Sequence, residues 1–211
     1  MKVTCIEYPT EQDWIACKER ALVTVGLKVK TAPTEEWKRA ILKARHSPIR
    51  RLRFSFYLED VPTWVMTHLV RHIHAQPYVK SQRNDRQDNY DREKAPQDAP
   101  VNAIWDMNGE ELMVIANKRL CNQASEKTRK LVRMICDEVI KTNPEFAEFL
   151  VPMCKYTGEC KEMYPCGRKE INAELPKLTR PKLTKEEKLR NEKGWERAIE
   201  LYGTPDGRPS R

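Results

Sequence analysis

The residues that could do chemistry are concentrated in one run, Arg71-His72-Ile73-His74-Ala75-Gln76-Pro77-Tyr78-Val79-Lys80-Ser81-Gln82-Arg83. Together with His68 just upstream, it holds three of the chain's four histidines, two arginines and a serine. Arginine offers a fixed fork of donors, and histidine adds a titratable donor or acceptor. Such a set suits phosphate oxygens and the polar edge of a base. The plainer reading is a solvated basic loop beside a helix. Composition alone favours the plainer reading. His72 at a helix C-terminus interacts with the helix dipole in either case. Arg119, further on, could be a surface arginine paired with Glu111 or Glu126. The order decides between them: Arg71-His72, then Ser81, then Arg83 two residues on.

That spacing resembles the signature of the flavin-dependent thymidylate synthases, Arg-His-Arg, then seven intervening residues, then Ser. The match is at Arg71, His72, Ser81 and Arg83, with Ile73 in place of the second arginine. Upstream, His46-Ser47-Pro48-Ile49-Arg50-Arg51-Leu52-Arg53-Phe54-Ser55-Phe56 is similar to the family's approach to a strand, with Arg50-Arg51 where Glu-His is usual. Thr67-His68-Leu69-Val70-Arg71-His72 resembles the family's His-Gln-Leu-Val-Arg-His. Downstream, Asn108-Gly109-Glu110-Glu111-Leu112-Met113 and Asn117-Lys118-Arg119 resemble its second substrate segment. The resemblance runs in order over residues 1–155.

The resemblance implies an α+β fold, a small antiparallel sheet covered by helices. It also implies a homotetramer that methylates dUMP reductively, with methylenetetrahydrofolate, FAD and NADPH. In that chemistry the flavin supplies the hydride, and the protein binds, orients and polarises. Carried over, Arg71, His72, Asn108 and His46 would contact the cofactor. His68, Ser81, Gln82, Arg83 and Arg119 would hold the nucleotide, with Arg83 on its phosphate. Ser81 and Arg119 would be the catalytic pair, and the Arg119 charge would stabilise the anion that forms as C5 of the uracil becomes nucleophilic.

The chain departs from the family's pattern at several points. Ile73 replaces an arginine, Tyr78 and Val114 replace asparagines, Val79 replaces a glutamate, and His68 stands where a glutamine is usual. Residues 82–107 are shorter than the family's stretch, which carries an Arg-x-x-Leu-Pro element with no equivalent here. A second reading follows: a non-catalytic protein of the same fold that binds a nucleotide, or nucleic acid, through a basic face.

A second constellation is Cys154, Cys160 and Cys166, spaced by five residues each and set among Gly158, Pro165 and Gly167. Thiolates on such a loop take Zn²⁺, and Lys155, Lys161 and Arg168 would favour the thiolate. The spacing is wider than the usual zinc pattern, and a fourth ligand would have to come from Cys121 or Cys136. A disulfide and free thiols are the alternatives.

The elements that must position these residues follow from the pattern of apolar side chains. Residues 2–7 alternate as a strand does, and Thr10 with Asp13 forms a capping box for a helix whose apolar face is Trp14, Ala21, Leu22 and Val25. Pro33 and Thr34 open a second helix. Phe54, Phe56 and Leu58 share one face of a strand over 53–58, and Pro62 begins a helix with Trp64, Val65, Leu69 and Val70 inward. Residues 84–100 are too polar to bury and read as a loop. Helical spacing returns at Asn108, with Leu112, Ile115 and Ala116 on one face. It continues over 124–142 with Leu131, Ile135, Val139 and Ile140, and Pro144 opens a short helix to residue 150.

The composition agrees with an anion-binding, membrane-free protein. The 211 residues suffice for one domain with a core, 1–167, and a basic tail, 168–211. The tail's Thr184-Lys185-Glu186-Glu187 predicts an amphipathic helix over 185–202 anchored by Trp195, Ile199 and Leu201. A net charge of +8 suits anionic partners. No apolar run approaches the ~18 residues of a membrane span. The first residues read as a strand, not a signal peptide, and seven unpatterned cysteines fit a reducing cytoplasm.

Overall fold

The computed structural model describes residues 1–86 and 90–167. The tail and its predicted helix lie outside the described residues. Four strands form one antiparallel sheet: β1 (Lys2–Glu7), β2 (Arg53–Pro62), β3 (Gln76–Val79) and β4 (Pro100–Asn108). Their spatial order is β1-β2-β4-β3. Among the described residues six α-helices accompany it: α1 (Glu11–Val23), α2 (Glu35–Ala44), α3 (Thr63–Leu69), α4 (Gly109–Arg119), α5 (Glu126–Thr142) and α6 (Met153–Thr157). The arrangement is the expected α+β one.

Local chemistry sets the helix starts. Thr10 caps α1: its hydroxyl accepts from the Asp13 N–H, and its own N–H donates to the Asp13 carboxylate at 2.9 Å. Trp14 and Cys17 then turn inward. Val25, expected on that face, lies beyond the last turn of α1 and is 55% exposed. Thr34 caps α2 through the Trp37 N–H at 3.2 Å. Pro62 precedes α3 and Asn108 precedes α4, each at the end of a strand, so both helices leave directly from the sheet.

In β2, Phe54, Phe56 and Leu58 face the core as expected, and the strand runs on to Pro62. Beside it, β4 was given no element by the sequence reading, yet it is the strand that joins both halves of the sheet. Its burial alternates strictly, with Val101, Ala103, Trp105 and Met107 inside. Pairing of Phe56 with Trp105, and of Ile104 with both Tyr57 and Tyr78, fixes the register. The short β3 falls inside the run of chemical residues, so that run is partly an edge strand.

The core closes where α4 packs against both α5 and the 3-10 turn Ser47–Arg51. The Gly109 N–H donates to the Leu52 carbonyl at 2.8 Å. A Cβ at Gly109 would lie 3.2 Å from both the Ile49 carbonyl oxygen and the Phe146 ring. That close approach accounts for the glycine at the first position of α4.

Candidate functional site

The turn that ends α3 and the helix α4 bring three predicted residues together. His72 is 9% exposed, and its ring bridges two side chains of α4. Its Nδ1 lies 3.2 Å from Glu111 Oε1, and its Nε2 accepts from Arg119 Nε at 3.0 Å. Arg119 also donates through Nη2 to the His68 carbonyl at 2.7 Å. Glu111 sits in the first turn of α4 and Arg119 at its last residue. A helical side chain leans toward the N-terminus of its helix, which brings the long arginine back over the preceding turns. The Asn108 side chain caps α4, accepting from the Glu111 N–H at 3.0 Å. Asn108, Glu111, His72, Arg119 and His68 are therefore one connected network.

The electrostatics of that network are cationic on the outside. Partial burial draws the Arg119 guanidinium below its usual pKa, and the charge of Arg71 adds to the effect. Arg71 is exposed and makes no hydrogen bond or ion pair among the described residues. Arg119 has spent two of its five N–H groups on the protein, and the others have no partner among the described residues. The acid of the network, Glu111, is committed to His72. Two neighbouring guanidinium groups with unspent donors and no carboxylate partner suit an anion.

The remaining predicted residues stand around this centre in different ways. The His68 imidazole meets Thr128 Oγ1 at 3.4 Å and Trp64 edge-on at 5.4 Å, so its contacts tie α3 to the start of α5. Gln82 donates to Thr63 Oγ1 at 2.9 Å, which ties the segment after β3 to the start of α3. The Ser81 hydroxyl accepts from the Arg83 N–H at 3.3 Å. Arg83 is exposed and forks onto Asp85 at 2.8 and 2.6 Å. His46 is exposed at the head of the 3-10 turn, where its N–H donates to the Ile41 carbonyl and its own carbonyl accepts from the Ile49 N–H. Among the described residues, neither His46 nor Arg83 is hydrogen-bonded to the His72–Arg119 network.

Glu111 was absent from the predicted site. The signal was present: a glutamate three residues after a capping asparagine, on a helix face otherwise apolar at Leu112, Ile115 and Ala116. In the structure it is 5% exposed. A buried carboxylate needs a partner, and His72 is it.

The zinc expectation finds no support. The described residues contain no group of three or more His, Cys, Asp or Glu side chains able to hold a metal ion. All seven cysteines are free thiols. Part of the expected loop is α6, and Cys154 is buried against the core by that helix, whereas Cys160 and Cys166 are half-exposed beyond it. Cys136, offered as a fourth ligand, is buried inside α5.

No protein-family model matches the chain, and no curated protein matches it at a significant level. Solved structures do. A flavin-dependent thymidylate synthase ThyX from Helicobacter pylori, complexed with FAD and dUMP, is 17% identical with a TM-score of 0.57, over 71% of this chain and 98% of that one. A second structure of Thymidylate Synthase X from Helicobacter pylori, with FAD and dUMP, is 16% identical with the same TM-score, over 71% and 97%. The chain therefore has the ThyX fold, across almost the whole length of those proteins.

Whether the residues present fit FAD is tested by their unspent donors. Arg71, the outer N–H groups of Arg119 and the amide N–H₂ of Asn108 have no partner among the described residues. They fit an acceptor-rich group with phosphates. The His72 ring nitrogens are both held inside the protein, so its contribution is to orient Arg119.

Proposed function

We propose that this chain is a divergent flavin-dependent thymidylate synthase, acting on dUMP or a related pyrimidine nucleotide. The observation that carries the reading is the pair Arg71 and Arg119, cationic and without a carboxylate partner, at the junction of α3 and α4 in a ThyX fold. Methylenetetrahydrofolate as carbon donor, NADPH as reductant and a homotetramer complete the reading.

Bound and reduced FAD supplies the hydride for such a reaction. The chain's own residues bind and polarise. Arg71 and the Asn108 amide hold the cofactor. Arg119, fixed at Nε and Nη2, keeps its remaining donors for a carbonyl oxygen of the pyrimidine, where negative charge grows. Arg83 holds the nucleotide phosphate in this reading. Its present partner is no obstacle, because Arg83 and Asp85 are both more than half exposed. Such pairs contribute about 0–1 kcal/mol, and a phosphate dianion competes well for the same fork. Ser81, whose hydroxyl accepts from the Arg83 N–H, and Gln82, anchored on Thr63, steady the segment.

Calorimetry with dUMP tests this. Binding is expected, and Arg83→Ala should weaken it by about 1.5–3 kcal/mol, the range for a charged hydrogen bond. Deoxyuridine, which lacks the phosphate, should be insensitive to the substitution. Formation of dTMP from dUMP, methylenetetrahydrofolate, FAD and a reductant, followed by chromatography, tests the reaction itself. Nucleotide binding without dTMP would assign the chain to the non-catalytic reading.

A further inference from the structure

We propose that Glu111 is the positioning residue of this site: it selects the tautomer of His72 that holds Arg119 in place. The inference rests on the nucleotide-site reading only for what Arg119 does, not for how it is held. Guanidinium nitrogens only donate, so the contact from Arg119 Nε requires a bare, accepting Nε2 on His72. A neutral imidazole with a bare Nε2 carries its proton on Nδ1. That proton points to Glu111 Oε1, 3.2 Å away, and an ionised carboxylate can only accept. The pattern is consistent in one direction only, from Arg119 Nε–H to His72 and from His72 Nδ1–H to Glu111.

The consequences reach Arg119. If the ring carried its proton on Nε2, or on both nitrogens, an N–H would face another N–H and the arginine would be expelled. Glu111 prevents the first of these by offering an acceptor at Nδ1 alone. The groups facing the ring are Glu111 and Arg119 from α4 and the His68 carbonyl beside Arg119 from α3. Glu111 and His72 are both nearly buried, so water offers the ring little alternative partner. Nothing else described holds the Nε side of Arg119. The carboxylate is thus fixed at the start of α4, next to the Asn108 cap, and sets the plane of a guanidinium at the other end of the same helix.

Nuclear magnetic resonance on protein with ¹⁵N-labelled histidine and arginine tests it without any ligand. The wild type should show His72 protonated on Nδ1 and bare on Nε2, and slow exchange of the Arg119 Nε proton with water. Glu111→Ala should lose that tautomer and speed the exchange about tenfold or more, the effect of losing one charged hydrogen bond. Glu111→Gln, whose amide oxygen still accepts from Nδ1, should keep the tautomer and stay near the wild-type exchange rate. If Glu111→Ala fails to fold, the wild-type tautomer and the glutamine rescue still decide. A wild-type His72 protonated on Nε2, or a folded Glu111→Ala with unchanged Arg119 exchange, would overturn the proposal. Calorimetry with dUMP separates the two readings. A wild type that binds no dUMP but shows the tautomer and its loss defeats the nucleotide reading alone. Binding weakened by Glu111→Ala and restored by Glu111→Gln supports both.

Discussion

Each functional side chain here is defined by what it has already spent on the protein. Arg119 has committed two donors and kept the rest, whereas His72 has committed both nitrogens. Sequence order singled out both residues, and the fold brings them into hydrogen-bond contact. It could not find that His72 faces inward. That depends on Glu111, which reads in sequence as one more acidic residue near a helix N-terminus. The cysteines show the same limit: their spacing allowed a metal, but the described residues gather no group of three ligands. Burial has pushed the Cys5 and Cys17 thiols up to about 11 and the Cys136 thiol up to about 12. Alkylation of the native protein at pH 8, mapped by mass spectrometry, should label the half-exposed Cys160 and Cys166 first. Cys17 and Cys136 should react last; early labelling of either would contradict this packing. Because the folded values lie above the unfolded thiol value of 9.0, the contribution of these groups to stability is complete below pH 9. It declines as pH rises toward 11–12.

Elements were legible in proportion to the strength of their local signals. The start of α1 was explicit in Thr10 and Asp13, and the capping box is formed as read. Thr10→Ala should cost about 1 kcal/mol in chemical denaturation, the usual value of such a cap. An unchanged midpoint would contradict the capping geometry. Asp13 adds a pH dependence. Burial alone would raise its pKa, but the Thr10 N–H and hydroxyl and the Arg51 guanidinium outweigh that and hold it below the usual carboxylate range. Its stabilisation is therefore present above the unfolded value of 3.8 and lost as pH falls through the lower folded value. Strand β4 was missed although Val101, Ala103, Trp105 and Met107 alternate as plainly as β2 does. The polar loop before it and the helix after it took in its two ends. β3 is a different case. Gln76–Val79 is short, its side chains are largely exposed, and it is a strand because β4 offers it a pairing edge. No local propensity encodes that.

At the scale of the molecule, the fold survives at 17% identity because it asks for a pattern and not for particular residues. It needs an apolar sheet face, two helices that leave directly from strand ends, and a glycine where α4 meets the Ile49 carbonyl and Phe146. The site asks for more, and there the chain is divergent. Ile73, in place of an arginine, is 84% exposed, and the segment between β3 and β4 is short. The net charge of +8 and the unspent donors of Arg71 and Arg119 suit an anionic ligand, and the proposed FAD and pyrimidine nucleotide both meet that requirement. Flavin retention tests that claim most directly. Purified protein incubated with FAD and desalted at low salt should keep flavin absorbance near one equivalent per chain, and Arg71→Ala should keep far less. A wild type that retains no flavin at micromolar concentration would contradict the account.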